Sequence, residues 1–311
     1  MSRPRIAVTL GDPRGIGPEI AAHALAEPAG AEITLVGADD QIAGLPADHR
    51  VAVGTWHGGS GEHANGGPAG APDFARTVRA GRIAGHAVEA AARLALAGEV
   101  DAIVTAPAHK HALHLAGFPY PGHTEWLAEL AGGVDVAMML ASPELRVVLV
   151  TTHVPFRDVP LLLTSERIVR TGRTTREALR SWWGIDEPRL AVCALNPHAG
   201  ESGLFGDEET RVLRPAAETL GAAGPLPADT VFVRAMRGDF DAVLAPYHDV
   251  GMTAIKVASF GRAVNVTLGL PFPRTSPDHG TALDIAGRGV ADGSSMRAAL
   301  ELAVQLASRR T

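Results

Sequence analysis

The sequence predicts an α/β protein, with a parallel or mostly parallel sheet and helices on both of its faces. Three observations carry that reading. Short apolar runs alternate with longer helical patterns along all 311 residues, the signature of repeated strand–helix units. Gly and Ala abound while aromatics make up only 5%, which suits close helix-on-sheet packing. A chain of this length also exceeds what one hydrophobic core usually organises, so two domains are expected.

Residues 5–10 (RIAVTL) read as the first strand and GDPRGIG as a turn. A helix then runs over 18–25, with proline in its first turn, where a missing N–H costs nothing. Residues 32–36 and 51–53 form the next strands. Residues 55–72 are a Gly-rich loop in which His57 and His63 read as solvent groups. A long Ala-rich helix covers 73–97. Residues 101–105 are a strand that runs into APAHKH, and a short helix follows to residue 117. Residues 125–130 are helical, whereas 136–140 and 146–151 are strands. The helix over 164–183 opens with a Thr-Ser-Glu cap signal. Strand 190–195 carries the single Cys193, which reads as a buried, inert thiol. A helix over 207–220, a strand over 242–244, a buried strand over 263–270 and a helix over 294–308 complete the chain.

Composition excludes some functions. Net charge is −6, and no basic run is long enough to follow a nucleic-acid backbone. No apolar run approaches the length of a membrane span. The first strand begins within a few residues of Met1, so a cytoplasmic location is expected.

Chemistry concentrates in 246–289, which holds His248, Asp249, Lys256, Arg274, Asp278, His279 and Asp284 around one apolar strand. So many polar groups beside a buried strand are costly unless they serve a site or satisfy one another. Three histidines recur at one kind of place: Thr151–Thr152–His153, Asn196–Pro197–His198 and Pro246–Tyr247–His248 each follow an apolar strand. Ligands of open α/β sheets bind off the carboxyl ends of strands. Taken singly, each histidine is more often a core or hydrogen-bonding residue. Recurring at equivalent positions, they suggest imidazole ligands of a divalent metal, with coordination positions left for substrate.

The first turn offers only Gly15–Ile16–Gly17, without the third glycine or the acidic partner of a dinucleotide fingerprint, and no Walker A motif is present. Groups suited to a small phosphate do exist: His123, Thr124, Lys256, Asn265 and Arg274. Arg274 offers a planar fork and Lys256 a mobile point charge. The competing structural reading pairs Arg274 with Asp278 or Asp249.

The segments TLGDPRGIGPEI, DAIVTAPAHK, GHTE, NPHAGE, GPLPADT, PYHD and FGRAVNVTLGLPFPRTSPDHGTALDIAGRG together resemble the 4-hydroxythreonine-4-phosphate dehydrogenase family over essentially the whole chain. The closing DHGTALDIAGRGVAD also resembles the cofactor segment of isopropylmalate and isocitrate dehydrogenases. The resemblance implies a two-domain α/β/α sandwich subunit, 1–125 with 272–311 and then 126–271, with the active site in the interdomain cleft of a homodimer. It implies that His153, His198 and His248 bind zinc, cobalt or magnesium, with ligands from both subunits. His123, Thr124, Lys256, Asn265 and Arg274 would hold the substrate. NAD or NADP would lie against Asp278, His279, Gly280, Thr281, Ala282 and Asp284.

The implied reaction oxidises the secondary hydroxyl of a phosphorylated four-carbon hydroxy acid and decarboxylates the resulting β-keto acid. Lys256 and Asp249 are the two candidates for moving the proton. The first expectation for substrate is 4-hydroxy-L-threonine 4-phosphate, in vitamin B6 synthesis. Alternatives are 4-phospho-D-threonate or 4-phospho-D-erythronate of sugar-acid breakdown, aromatic cis-dihydrodiols, or a metal-binding protein without catalysis. Retention of GHTE and Arg274 favours a phosphorylated substrate. Arg14, Ser202, Leu204 and Val250 depart from the family pattern without touching an implied ligand, so they bear on specificity.

Overall fold

The chain enters its fold through β1 (Arg5–Thr9), whose Ile6, Ala7 and Val8 are fully buried. The structure, a computed structural model, describes residues 3–57, 74–259 and 262–309, so His63 lies outside the described residues. Met1–Gly133 with Pro271–Arg309 form one compact unit, and Val134–Leu270 the other.

In the first unit β1 leads to α1 (Gly17–Leu25), which carries proline and Glu19 in its first turn, an arrangement suited to a helix N-terminus. Then come β2 (Glu32–Gly37), α2 (Asp39–Ile42), β3 (His49–Ala52) and the Ala-rich α3 (Phe74–Leu96). β4 (Ala102–Thr105), α4 (Lys110–Leu115) and α5 (His123–Leu130) follow.

The second unit begins with β5 (Ala137–Ala141) and β6 (Arg146–Leu149), then α6 (Val159–Leu162) and α7 (Ser165–Ser181). The Thr164 hydroxyl accepts the Arg167 N–H at 3.2 Å and caps α7, as the sequence signal predicts. Next are β7 (Leu190–Cys193), α8 (Arg214–Leu220), β8 (Ala223–Leu226) and α9 (Ala228–Met236). β9 (Ala242–Ala245), α10 (His248–Ser259) and β10 (Val264–Leu268) complete it. The chain then rejoins the first unit as β11 (Arg274–Ser276) and α11 (Ser294–Ser308).

Strands of the first unit run parallel in the order β3-β2-β1-β4-β11. Those of the second are ordered β10-β5-β6-β9-β7-β8. There β6, β9, β7 and β8 are parallel, while β5 is antiparallel to both β10 and β6. The connection from β5 to β6 spans only residues 142–145, too short for a crossover, so that pair must be antiparallel. The mostly parallel α/β fold expected from the alternation is the fold observed.

Each unit has its own core. Ile6, Ile20, Leu35, Ile103 and Leu300 are buried in the first. Leu149, Val231, Val243 and Ile255 pack together in the second; each such side chain stabilises its unit by roughly 1.5–3 kcal/mol. Cys193 is fully buried there, and its thiol is pushed up to about 12, first by burial and then by the charge of Glu209. It is the inert thiol expected. Gly251 lets α10 sit close on the sheet: a Cβ there would lie 2.7 Å from Leu149, 2.9 Å from Val147 and 3.0 Å from Ala245. That close seat fixes where His248, the first residue of α10, emerges.

Six elements go beyond the alternation legible in the sequence, among them the four-residue helices α2 and α6. β8 contains Gly224 and Pro225, β11 is short and polar, and α9 and α10 start directly after strand-like text. The single helix expected over 207–220 is divided into a π-helical turn, Glu209–Leu213, and α8, with Pro215 in the first turn of α8. Proline has no N–H to extend a helix through it. None of the helices among the described residues is long and apolar enough to cross a membrane.

Candidate active site

Arg274 opens β11 and is only 3% exposed. Its Nε and Nη2 donate to Thr105 Oγ1, at the end of β4, at 3.1 and 2.6 Å. Nη2 also donates to His123 Nδ1 at 3.2 Å. Burial lowers the guanidinium to about 10, with Glu125 pulling it back up, so it keeps its charge at neutral pH. Burial foremost, then the charges of Arg274 and Lys110, drive His123 down to about 3. His123 is therefore neutral. A guanidinium can only donate, so Nδ1 accepts and the imidazole proton sits on Nε2. That Nε2 is buried and has no hydrogen-bond partner.

His123 and Thr124 are the first two residues of α5, and the cap residue Gly122 contributes no side-chain bond. The first-turn N–H groups of such a helix favour an anion. A fixed cation, an unpartnered imidazole N–H and a helix N-terminus thus meet in one unit. An oxyanion such as phosphate satisfies all three.

In the second unit β6, β9 and β7 are neighbouring parallel strands. His153, His198 and His248 follow their carboxyl ends, as expected. Thr151 Oγ1 donates to Pro246 O at 2.8 Å and ties the first of these segments to the third. The rings of His153 and His248 come to 5.6 Å between centroids. Two imidazoles on one tetrahedral ion would have centroids roughly 5–5.5 Å apart, given metal–nitrogen bonds of about 2.0–2.1 Å. This pair fits a shared ion.

His248 Nδ1 lies 2.7 Å from Asp249 Oδ1, which orients the ring and makes Nε2 the nitrogen that could bind an ion. His198 is presented differently. It starts a left-handed run through Ser202, with φ of 51°, 55°, 82°, 41° and 59°. The non-glycine residues in it each carry roughly 1–2 kcal/mol of strain. No group of three His, Cys, Asp or Glu able to hold a metal is present among the described residues. One chain therefore brings together two of the expected three ligands.

Lys256 is exposed on α10, seven residues after Asp249, and so on the same helix face about 10 Å further along. Asn265 lies in β10, and its Oδ1 is buried without a partner.

The segment 278–284 has no regular structure and is seated on the first turn of its unit. Ile16 N donates to Thr281 O at 3.0 Å, and Gly287 N donates to Glu19 Oε1. Ala282 has a left-handed backbone, φ 42°. Gly280 and Asp284 are exposed, and Asp278 half-buried. His279 Nδ1 lies 3.2 Å from Gly280 O, while its Nε2 is buried without a partner. That orphaned nitrogen and an open, Gly-containing backbone fit a bound cofactor.

Of the family departures, Arg14 has a clear structural role. Its Nη2 and Nε bind the fully buried Asp12 carboxylate at 2.8 and 3.0 Å, and Nη1 reaches Thr77 Oγ1 at 2.8 Å. Val250 packs against the second core. Ser202 lies in the left-handed run, and Leu204 is 71% exposed. Sequence reasoning missed Thr105, which anchors Arg274, and Glu209, a buried carboxylate behind the His198 turn. Only the position of Thr105 at a strand end could have marked it.

The family described as pyridoxal phosphate biosynthetic protein PdxA matches residues 72–303. A 4-hydroxythreonine-4-phosphate dehydrogenase of Geobacter metallireducens is 45% identical, over 98% of this chain and 96% of that protein. A D-threonate 4-phosphate dehydrogenase of Salmonella typhimurium is 43% identical, over 99% of this chain and 100% of that protein. Among solved structures, a 4-hydroxythreonine-4-phosphate dehydrogenase from Klebsiella pneumoniae superposes with a TM-score of 0.84 at 39% identity, covering 98% of this chain and 100% of that one.

Proposed function

Since the chain belongs to the pyridoxal phosphate biosynthetic protein PdxA family, we propose that it is a metal- and nicotinamide-dependent dehydrogenase of a phosphorylated four-carbon hydroxy acid. The preferred substrate is 4-hydroxy-L-threonine 4-phosphate. One observation carries the phosphorylated class: Arg274, buried and cationic, bonded to a neutral His123 whose Nε2–H has no partner. Each charge-assisted hydrogen bond to a phosphate there is worth roughly 1.5–3 kcal/mol net. A neutral ring edge gains none of this, which weighs against a dihydrodiol.

His153, His198 and His248 would hold a divalent ion that would supply Lewis-acid chemistry, and NAD or NADP seated against 278–284 would accept the hydride. The chain's own groups do the rest. His123, Thr124 and Arg274 bind and orient the phosphate, and Lys256 and Asn265 contact the body of the substrate. Asp249 is committed to His248 at 2.7 Å, so Lys256 is the better candidate to take the hydroxyl proton and return one to carbon after decarboxylation.

A second copy of the chain would supply His198 to the His153–His248 pair. Large apolar side chains that follow His153 and His198 in the chain are exposed, which supports that assembly: Phe156 by 67%, Leu161 by 80% and Leu204 by 71%.

The close relative that acts on D-threonate 4-phosphate makes 4-phospho-D-threonate the second reading. The test follows reduced cofactor, with NAD and with NADP, on 4-hydroxy-L-threonine 4-phosphate, 4-phospho-D-threonate, 4-phospho-D-erythronate and a cis-dihydrodiol. The highest kcat/KM is expected on the first. An enzyme with no preference for phosphorylated over dephosphorylated substrate would overturn the class.

A further inference from the structure

We propose that Glu209 is a positioning residue that fixes the pose of His198 by clamping the backbone just before it. The proposal rests on the reading of His198 as a ligand of the divalent ion. Glu209 is only 2% exposed and opens the π-helical turn Glu209–Leu213; such turns occur frequently at functional sites. Its Oε1 accepts the N–H groups of Leu195 and Asn196 at 3.0 and 2.7 Å. Its Oε2 accepts the Asn196 side-chain amide at 2.9 Å, which Glu208 Oε2 also meets at 2.8 Å. Every one of those donors lies within three residues before His198.

The turn needs such an external hold. The backbone from His198 to Ser202 is left-handed throughout, a conformation that non-glycine residues do not sustain as a run by themselves. Bonds from Leu204 N to Glu201 O and from Phe205 N to Gly200 O, both 3.2 Å, close its far side. Glu209 closes the near side. Gly200, at φ 82°, makes room for it, because a Cβ there would come within 2.9 Å of Glu209 Oε2. A carboxylate suits the place, since two oxygens accept three donors. Glutamine would turn an NH2 towards the Asn196 amide and set two donors against each other.

The experiment titrates the metal-stripped full-length protein with Co²⁺ alone, reading its visible ligand-field absorption, for wild type, His198→Ala, Glu209→Ala and Glu209→Gln. Circular dichroism and thermal melts run alongside. The expected result is a Co²⁺ affinity lowered by about ten- to a hundredfold in Glu209→Ala, by the usual effect of residues that orient metal ligands. Glu209→Gln, which keeps one acceptor, should stay folded, bind Co²⁺ about tenfold more weakly and show a changed spectrum. A folded Glu209→Gln with the affinity and spectrum of wild type overturns the positioning role, and so does failure of both variants to fold. His198→Ala separates the two levels of the argument. Should it bind Co²⁺ like wild type, the assignment of His198 as ligand falls first and the role of Glu209 falls with it.

Discussion

Around Arg274 each described group is enclosed and held by regular structure. Its guanidinium lies at the start of β11, Thr105 at the end of β4, and His123 at the start of α5. Around the three histidines the chain is exposed or half-buried, and His198 rides on a left-handed turn. The cation, imidazole and helix N-terminus of the first region are complete within a single chain. The second brings the rings of His153 and His248 together, and among the described residues no third His, Cys, Asp or Glu completes a metal-holding group with them. If the chain works as proposed, the first region can bind phosphate as it stands, whereas the histidine region needs a second copy of the chain. That difference is testable at several scales.

The largest effect belongs to the incomplete region. His248→Ala should lower kcat/KM by on the order of a thousandfold, since a bound ion supplies several kcal/mol of charge stabilisation. Its melting temperature should barely move. Because His153 and His248 already face each other in one chain, the variant that complements His248→Ala is His198→Ala. Mixed and allowed to exchange subunits, these two inactive proteins should recover about a quarter of wild-type activity in a symmetric dimer. A mixture that stays inactive while subunits exchange would break the shared-site account.

In the complete region the effect is smaller and selective. Arg274→Ala should lower kcat/KM on the phosphorylated substrate by roughly ten- to a hundredfold, and far less on its dephosphorylated analogue. Equal losses on both would make Arg274 a purely structural residue.

How legible these regions were in the sequence follows the same division. The strands that carry the histidines were visible as apolar runs, because both faces of a parallel sheet are buried and its strands lose their alternation. The capped α7 and the alanine-rich α3 were visible for equally local reasons. What stayed hidden depended on partners far along the chain. Thr105 bonds Arg274 across 169 residues, and no local pattern reports that. Glu209 lies in a segment that the sequence marks only as helix, yet its carboxylate turns inward onto the strand end at Leu195 and Asn196. α10 was obscured because its first residues, His248 and Asp249, read as site chemistry rather than as a helix start. The run of positive φ from His198 to Gly203 has glycine at only two of its six positions, so the usual marker of left-handed backbone is sparse.

Acid stability offers a finer test of the enclosed region. His123 titrates at about 3 when folded, against an ordinary value near 6.5. Below pH 6.5 the unfolded chain takes up a proton that the folded chain refuses until about pH 3, so stability falls as pH drops through that window. Between pH 7 and pH 5 this group should cost roughly 1–2 kcal/mol. His123→Asn keeps an acceptor for Arg274 and a donor for the ligand but does not titrate. Its denaturation midpoint should therefore fall less than that of wild type over the same pH change. Parallel slopes for the two proteins would mean that His123 is not desolvated as its surroundings imply.

The smallest effect probes the strain in the exposed region. Ala199 holds φ 55° and ψ 42°, where its Cβ crowds the following carbonyl at roughly 1–2 kcal/mol. Ala199→Gly removes that crowding but gives the unfolded chain more freedom, worth roughly 0.5–1 kcal/mol. The balance should be a gain of up to about 1 kcal/mol in urea denaturation. Ala106, fully buried beside Thr105 and without a positive φ, is the matching position in the enclosed region. There Ala106→Gly has no strain to relieve and should lose about 1 kcal/mol. The opposite signs separate the two regions. If both substitutions destabilise, the His198 turn carries no strain, and its left-handed backbone is as well accommodated as the strands around Arg274.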